Sequence, residues 1–473
     1  MNPKRLSRRS FIQWSALFVG AGTLAACAPQ PAPAPTEKPA EQATAKPAEQ
    51  TQVTEPPATP AAAQEEVTIR YWQLWGNTKP MLDGWQASPT YKEMTQGFKV
   101  EFLEGVSFQK QLTAVASGDP PDVLGYFDYT NWFLRGLTIP VDEYVTKSMI
   151  IKLDDYLPGV ADAGKVQGKL MGVPAIECFN RYALMVNTHL TEKAGLDASK
   201  LPATYDELYD WHKGLTVFDK AKNLLQVGYD PFGEMAGQWQ AMVNWWPAVT
   251  CGVKYYDNDT HEYHLDDPKL VDYLNTCVKF YDLLGPDNMS NFRATNGQWF
   301  AGLINETVAM TVDGYWQCGL VYNAKPEVGK AWKPTWPPVP EYRSGTKIAH
   351  PSPHFLALPK GAKYPAQGFR LIEFLYSDAG ADVCFKTMGY LPARKSYMAK
   401  VDKNTYPGLD WFIDNADKAT EYPVVAQDAL AEYNNQQWIT LREKVIRHQM
   451  TAQEAMNELQ RLATQEYQNQ FSQ

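Results

Sequence analysis

Residues 28–65 contain nine prolines and no aromatic side chain, and this stretch divides the chain into parts that must be read separately. Its Pro, Ala, Glu, Gln and Thr side chains bury too little apolar surface to offset the entropy of ordering the backbone. It is therefore expected to be a disordered tether. As a coil it spans roughly 35 Å; extended as polyproline II it reaches on the order of 100 Å. Beyond it the composition reverses. Of the 60 Phe, Trp and Tyr residues in the 473-residue chain, 57 fall in 66–473. The overall 44% hydrophobic and 21% charged content is that of a globular chain. At about 150 residues per domain the length suggests two or three domains. A net charge of −9 argues against a nucleic-acid binder, which needs a basic face to displace counterions from phosphates. Six cysteines over this length exclude a disulfide-stapled miniprotein.

Residues 1–26 carry Lys4, Arg5, Arg8 and Arg9 and no acid, and an apolar run follows from Phe11 to Ala26. That run is shorter than the ~20 residues a membrane span needs. A basic, then apolar, then small-residue order is that of an export signal. Ser7-Arg8-Arg9-Ser10-Phe11-Ile12 resembles the twin-arginine signal, with Ile12 where leucine is usual. Leu24-Ala25-Ala26-Cys27 resembles the lipobox of bacterial lipoproteins. The resemblance implies cleavage before Cys27 and lipidation there, which anchors the body to a membrane because each buried methylene contributes about 0.8 kcal/mol. The expected division is a signal peptide at 1–26, a lipidated Cys27 with its tether at 27–65, and a body from 66.

Within the body, Glu66-Val67-Thr68-Ile69-Arg70-Tyr71-Trp72 alternates polar and apolar residues and predicts a strand. Asp122-Val123-Leu124-Gly125-Tyr126 predicts another. Thr204-x-x-Glu207 and Thr451-x-x-Glu454 fit the capping box that opens a helix. Leu270, Leu274, Cys277, Tyr281 and Leu284 keep helical spacing after Asp267, and 367–377 reads as a further amphipathic helix. Strands alternating with helices indicate α/β layers.

The motifs of common enzyme chemistry are absent from the sequence: no Gly-x-Ser-x-Gly elbow, no phosphate loop, no Cys-x-x-Cys and no His-Glu-x-x-His. No cofactor and no metal are expected. His261 and His264 are the closest histidine pair, and they follow the turn sequence Asp257-Asn258-Asp259-Thr260, which places them on a hairpin rather than around a metal. The five body cysteines, Cys178, Cys251, Cys277, Cys318 and Cys384, are expected to form at most one or two bridges. The aromatics carry more information. Trp72, Trp75, Trp239, Trp245, Trp246, Trp299 and Trp316 lie near strand ends or in Gly/Pro-rich loops. A Trp flanked by turn residues, as in Asp313-Gly314-Tyr315-Trp316, can present a flat apolar face to a pyranose ring whose hydroxyls need a few placed polar partners.

The order of segments resembles one family. Ala116-Ser117-Gly118-Asp119-Pro120-Pro121-Asp122-Val123 is followed by Gly168-Lys169-Leu170-Met171-Gly172-Val173-Pro174 and by Leu184-Met185-Val186-Asn187. Then come Lys193-Ala194-Gly195-Leu196, Pro202-Ala203-Thr204-Tyr205-Asp206-Glu207-Leu208, and Phe300-x-Gly302 with Ala309-Met310-x-x-x-Gly314-x-Trp316. Gly389-Tyr390-Leu391-Pro392-Ala393-Arg394 and Thr451-x-x-Glu454-Ala455-Met456 close the series. Over essentially all of 66–473 the chain resembles the solute-binding proteins of ATP-binding-cassette importers, in the carbohydrate-binding group that includes maltose-binding protein.

That resemblance implies a two-lobed, periplasmic-binding-protein-like α/β fold with a ligand cleft and a three-segment hinge. The crossings would fall near 178–183, 349–354 and 388–393. The N-terminal lobe would be 66–179 plus 354–388, and the C-terminal lobe 182–348 plus 392–473. It also implies ligand contacts. These are Trp75, Asn77, Tyr126, Asp128 and Tyr129 in the first lobe, and Glu177, Asn180 and Arg181 at the first crossing. Trp245, Trp246 and Trp316 are the stacking residues of the second lobe, and His354 and Tyr390 lie at the other crossings. Val186 stands where the family has tyrosine, and two extra residues separate Pro174 from Asn187. The implied partners are a small carbohydrate, the permease subunits of an importer and the membrane through the lipid anchor, with no nucleic acid and a monomeric, extracytoplasmic body. The competing classes are an exported glycoside hydrolase, which needs two carboxylates about 5–10 Å apart across a sugar bond, and an importer-independent sugar sensor or adhesin.

Overall fold

The structure is a computed structural model. It describes residues 67–471 except 75, 77, 126–128, 158, 180–181, 234–244, 297–299, 350–352 and 424–426. The expected signal, the Cys27 anchor and the tether therefore lie outside the described residues.

Two separate sheets organise the body. The first holds β1 (Val67–Trp72), β2 (Phe98–Leu103) and β3 (Val123–Leu124) in the order β2-β1-β3, all parallel. Its helices include α1 (Lys79–Ala87) and α2 (Phe108–Ser117), the latter stopped by Gly118 in the left-handed region at φ 80°. The alternation in β1 holds as far as Tyr71 and then fails, because Trp72 is also buried. Trp72 shares the face of Arg70 along the strand, and the Arg70 guanidinium and the Lys110 ammonium of α2 lie over its ring at 6.0 and 5.4 Å.

The second sheet collects β5 (Tyr182–Asn187), β6 (Val217–Phe218), β7 (Leu224–Tyr229), β8 (Val308–Gly314) and β9 (Trp332–Thr335) in the order β9-β5-β8-β7-β6. β7 and β8 run parallel, and β5 is antiparallel to both β8 and β9. Every residue of β5 and β8 is buried, as in a sheet covered on both faces. One cover is α3 (Tyr205–Leu215), whose capping box between Thr204 and Glu207 is present as the sequence predicts. Another is α4 (Pro268–Leu284), which buries Leu270, Leu274, Cys277, Tyr281 and Leu284. Directly after β8, α5 (Trp316–Ala324) begins with only Tyr315 between the two elements.

Between the two sheets, β4 (Val173–Pro174) on the way out pairs antiparallel with β10 (Phe355–Leu356) on the way back, in a two-stranded sheet of their own. Helices α6 (Pro365–Tyr376) and α7 (Asp378–Met388) then pack on the first sheet and on α1. After Gly389 the chain passes back. Its last long helices, α8 (Ala431–Ile446) and α9 (Ala452–Phe471), pack on α4. The 257–261 turn is closed by an antiparallel bridge from Tyr256 to Tyr263. His261 there sits at φ 63°, with its Nδ1 hydrogen-bonded to Tyr256 Oη at 2.8 Å. Among the described residues no three His, Cys, Asp or Glu side chains gather where a metal could bind, and no helix is long and apolar enough to cross a membrane.

Candidate functional site

β1 and β3 run parallel, so the segments after Trp72 and after Leu124 emerge on one edge of the first sheet. Trp75, Asn77, Tyr126 and Asp128 belong to those segments and lie outside the described residues, as do Asn180 and Arg181. Ligands of open α/β sheets bind beyond such carboxyl ends. Tyr129, the next described residue, is partly buried. Its hydroxyl accepts from Phe355 N at 3.2 Å, and its ring meets that of Phe355 edge-on at 5.2 Å. It is thus held against β10.

In the second sheet the last residue of β8, Gly314, pairs with the first residue of β5, Tyr182. Aromatics gather there. The ring of Trp246 lies 4.5 Å from that of Tyr182. The neighbouring Trp245 side chain is outside the described set. Trp316 opens α5. Its indole lies on the backbone of Gly314 so closely that a Cβ on Gly314 would sit 2.2 Å from it. Trp316 is 4% exposed and Trp246 3%, so neither presents the open flat face the turn sequence suggests. Asp313 lies beneath this cluster, fully buried, with one oxygen accepting from Gly314 N at 2.7 Å. Burial pushes its carboxyl well above the usual carboxylate range, opposed by the Gly314 amide and by the Trp316 side chain.

The three passages between the sheets meet beside this cluster. Glu177 lies just beyond β4 on the first passage, and its carbonyl accepts from His354 N on the second at 3.0 Å. Cys178 N donates to Leu391 O on the third at 3.0 Å. Side chains repeat the connection. Glu177 is 2% exposed; Tyr315 Oη donates to its Oε1 at 2.9 Å, and His354 Nδ1 lies 3.3 Å from its Oε2. Leu391 N donates to Tyr315 Oη at 3.1 Å. Burial raises the Tyr315 phenol well above its ordinary range, and the Glu177 charge adds to the shift. Tyr390, beside Leu391, is partly buried and donates its N–H to Cys384 O at 3.3 Å.

Of the expected site residues, Glu177, His354 and Tyr390 are thus placed at the passages, Trp246 and Trp316 at the strand ends of the second sheet, and Tyr129 against β10. Tyr315 and Asp313 are additions. Asp313 is visible in the sequence as the one charge in the apolar run 308–314. Tyr315 carries no such signal, because its role depends on passages far away along the chain. All five body cysteines are buried and unbridged.

Residues 86–410 match the family described as bacterial extracellular solute-binding protein. No curated protein matches the chain. Solved structures of similar fold include CpMnBP1 with mannobiose bound, at 21% identity and TM-score 0.73, covering 84% of this chain and 100% of that one. An ABC transporter solute-binding protein from Thermotoga lettingae TMO, bound with alpha-D-tagatose, matches at 18% identity and TM-score 0.68, covering 84% and 99%. The sugar-binding protein MalE from Xanthomonas citri matches at 20% identity and TM-score 0.61, covering 86% and 100%. Two α/β sheets, three passages gathered beside the strand ends of the second, and a family match over most of the body lead to one conclusion: this chain belongs to the bacterial extracellular solute-binding proteins.

Proposed function

We propose that the protein captures a neutral carbohydrate, a sugar or short oligosaccharide, between its two lobes and delivers it to an ATP-binding-cassette importer. The observation that carries this reading is the match of residues 86–410 to the extracellular solute-binding family, on a fold whose three passages gather beside an aromatic cluster at the strand ends of the second sheet. Trp316 and Trp246 are nearly buried, so stacking on either requires its ring to be uncovered. Aromatic rings offer a large apolar contact for a pyranose face, and a few buried polar groups fix orientation. The similar solved structures that hold mannobiose or tagatose support the same ligand class. Trp75, Asn77, Tyr126 and Asp128 of the first lobe, and Asn180 and Arg181 at the first crossing, are further ligand contacts in this reading. A ligand touching both lobes favours the closed state and shifts the population toward it. No bond of the sugar is broken.

The proposed topography follows the sequence. A twin-arginine signal occupies 1–26, Cys27 carries the lipid anchor, and 28–65 tether a monomeric body close to the permease, whose effective concentration is thereby raised. The lobes are 66–179 plus 354–388 and 182–348 plus 392–473. A thermal-shift screen over neutral sugars, oligosaccharides and polyols tests the reading, since a ligand of the native state raises its melting point. The best ligand should then bind Trp316→Ala more weakly by roughly 1–3 kcal/mol. Unchanged affinity in a folded variant removes Trp316 from the site.

A further inference from the structure

The residue next to the proposed stacking tryptophan reaches all three passages, directly or through one carboxylate. Tyr315 sits between Gly314, which ends β8, and Trp316, which opens α5, so its backbone moves with the second sheet. It is fully buried, and its ring meets Phe179 of the first passage edge-on at 5.4 Å. A phenol has one proton to donate. Glu177 Oε1 at 2.9 Å is closer and charged, whereas Leu391 O lies at 3.3 Å, so the proton goes to the carboxylate. The hydroxyl oxygen in turn accepts from Leu391 N at 3.1 Å. A chain of hydrogen bonds therefore runs from the third passage through Tyr315 to Glu177 in the first, and from there to the second, where the Glu177 carbonyl accepts from His354 N at 3.0 Å and Glu177 Oε2 lies 3.3 Å from His354 Nδ1.

The same helix touches the third passage again one turn later. A Cβ on Gly319 would lie 2.9 Å from Gly389 Cα, so the two backbones meet with no side chain between them. Gly389 is in the left-handed region at φ 72°, at the end of α7, where the chain turns toward Leu391. The first turn of α5 is thus held to the hinge by a hydroxyl at one point and seated glycine on glycine at another.

We propose that Tyr315 is the positioning residue that couples the Trp316 site to the hinge, with the Gly319–Gly389 contact as its pivot. Twisting of the passages during closure changes the Tyr315 bonds, and these bonds bias the open and closed populations before any ligand arrives. The ligand shifts the same balance through Trp316, one residue away. This inference rests on the carbohydrate-capture reading for the ligand, but not for the bias itself.

The test uses the full body with spin labels on cysteines introduced at exposed Met149 and Ile439, the native thiols being buried. Distances between the labels are measured without ligand, and then during titration with the best sugar of the panel. Tyr315→Phe keeps the ring and removes the hydroxyl. It is expected to change the ligand-free distance distribution and to weaken sugar binding about tenfold, a 1.4 kcal/mol effect. Glu177→Gln is expected to act in the same direction, and the double variant to fall short of the sum, because both act on one bond. A ligand-free distribution and an affinity equal to wild type in both single variants overturn the proposal, whatever happens to the melting point. A wild-type protein that binds no sugar defeats the capture reading instead, and the coupling then stands or falls on the ligand-free distributions alone.

Discussion

Gly314→Ala places one methyl group where the structure has room for none. The added Cβ would lie 2.2 Å from Cη2 and Cζ3 of Trp316 and 2.4 Å from Cζ2. Carbon atoms in contact prefer about 3.5–4.0 Å, so the indole must move by more than about 1 Å. It has little freedom to do so, being 4% exposed and set edge-on against Tyr315 at 5.5 Å. Overpacking of this kind costs about 1–3 kcal/mol. Replacing glycine by alanine at a compatible backbone position returns about 0.4–1 kcal/mol by restricting the unfolded chain. The steric effect wins, leaving a net loss of about 1–2 kcal/mol. If Trp316 is the stacking surface, the displaced ring also loses its register with the sugar, and affinity falls about tenfold for each 1.4 kcal/mol. Calorimetric titration with the best sugar and a thermal melt measure the two effects. Gly214→Ala is the control. It lies inside α3, its added Cβ would meet Leu196 at an ordinary 3.6 Å, and it should stabilise the fold by about 0.5–1 kcal/mol with affinity unchanged. Wild-type affinity and melting in Gly314→Ala would refute the placement of the indole.

Two further outcomes concern the body rather than the cleft. Burial depresses the His212 imidazole to about 4 from an unfolded value of 6.5, so the folded state holds it neutral. The stabilisation is complete above pH 6.5 and is lost as the pH falls toward 4, about 3 kcal/mol in all. The melting point should fall over that window in wild type, and less steeply in His212→Gln; identical slopes would contradict the burial of a neutral imidazole. Burial likewise pushes the Cys251 thiol up to about 11 and the Cys277, Cys318 and Cys384 thiols higher still. The unreduced folded body should resist thiol reagents, and the unfolded body should release all of its thiols; two missing thiols would reveal a bridge.

Local patterns made much of the architecture legible. The apolar spacing from Leu270 to Leu284 specified α4, and both Thr-x-x-Glu sequences form reciprocal caps. These signals lie within one or two turns of chain, where side-chain period and backbone conformation are directly linked. Segment order identified the family, and the structure gathers Glu177, His354 and Leu391 of the three passages around one phenol and one carboxylate. Turn residues around Trp316 suggested an open ring, yet the ring lies on Gly314, because a glycine can be a packing surface as well as a turn former. The alternation of β1 hid the burial of Trp72, which the side chains of Arg70 and Lys110 cover. Tyr315 stayed invisible for a different reason. Its partners Glu177 and Leu391 lie 138 and 76 residues away, and no local period encodes them.

Calorimetric titration of the protein against neutral sugars, oligosaccharides and polyols, with the recovered ligand analysed afterwards, tests carbohydrate capture most directly. Saturable one-to-one binding of at least one carbohydrate is expected, with the ligand recovered chemically intact and bound more weakly by Trp316→Ala. Absence of binding across the panel, or recovery of a cleaved product, would contradict it.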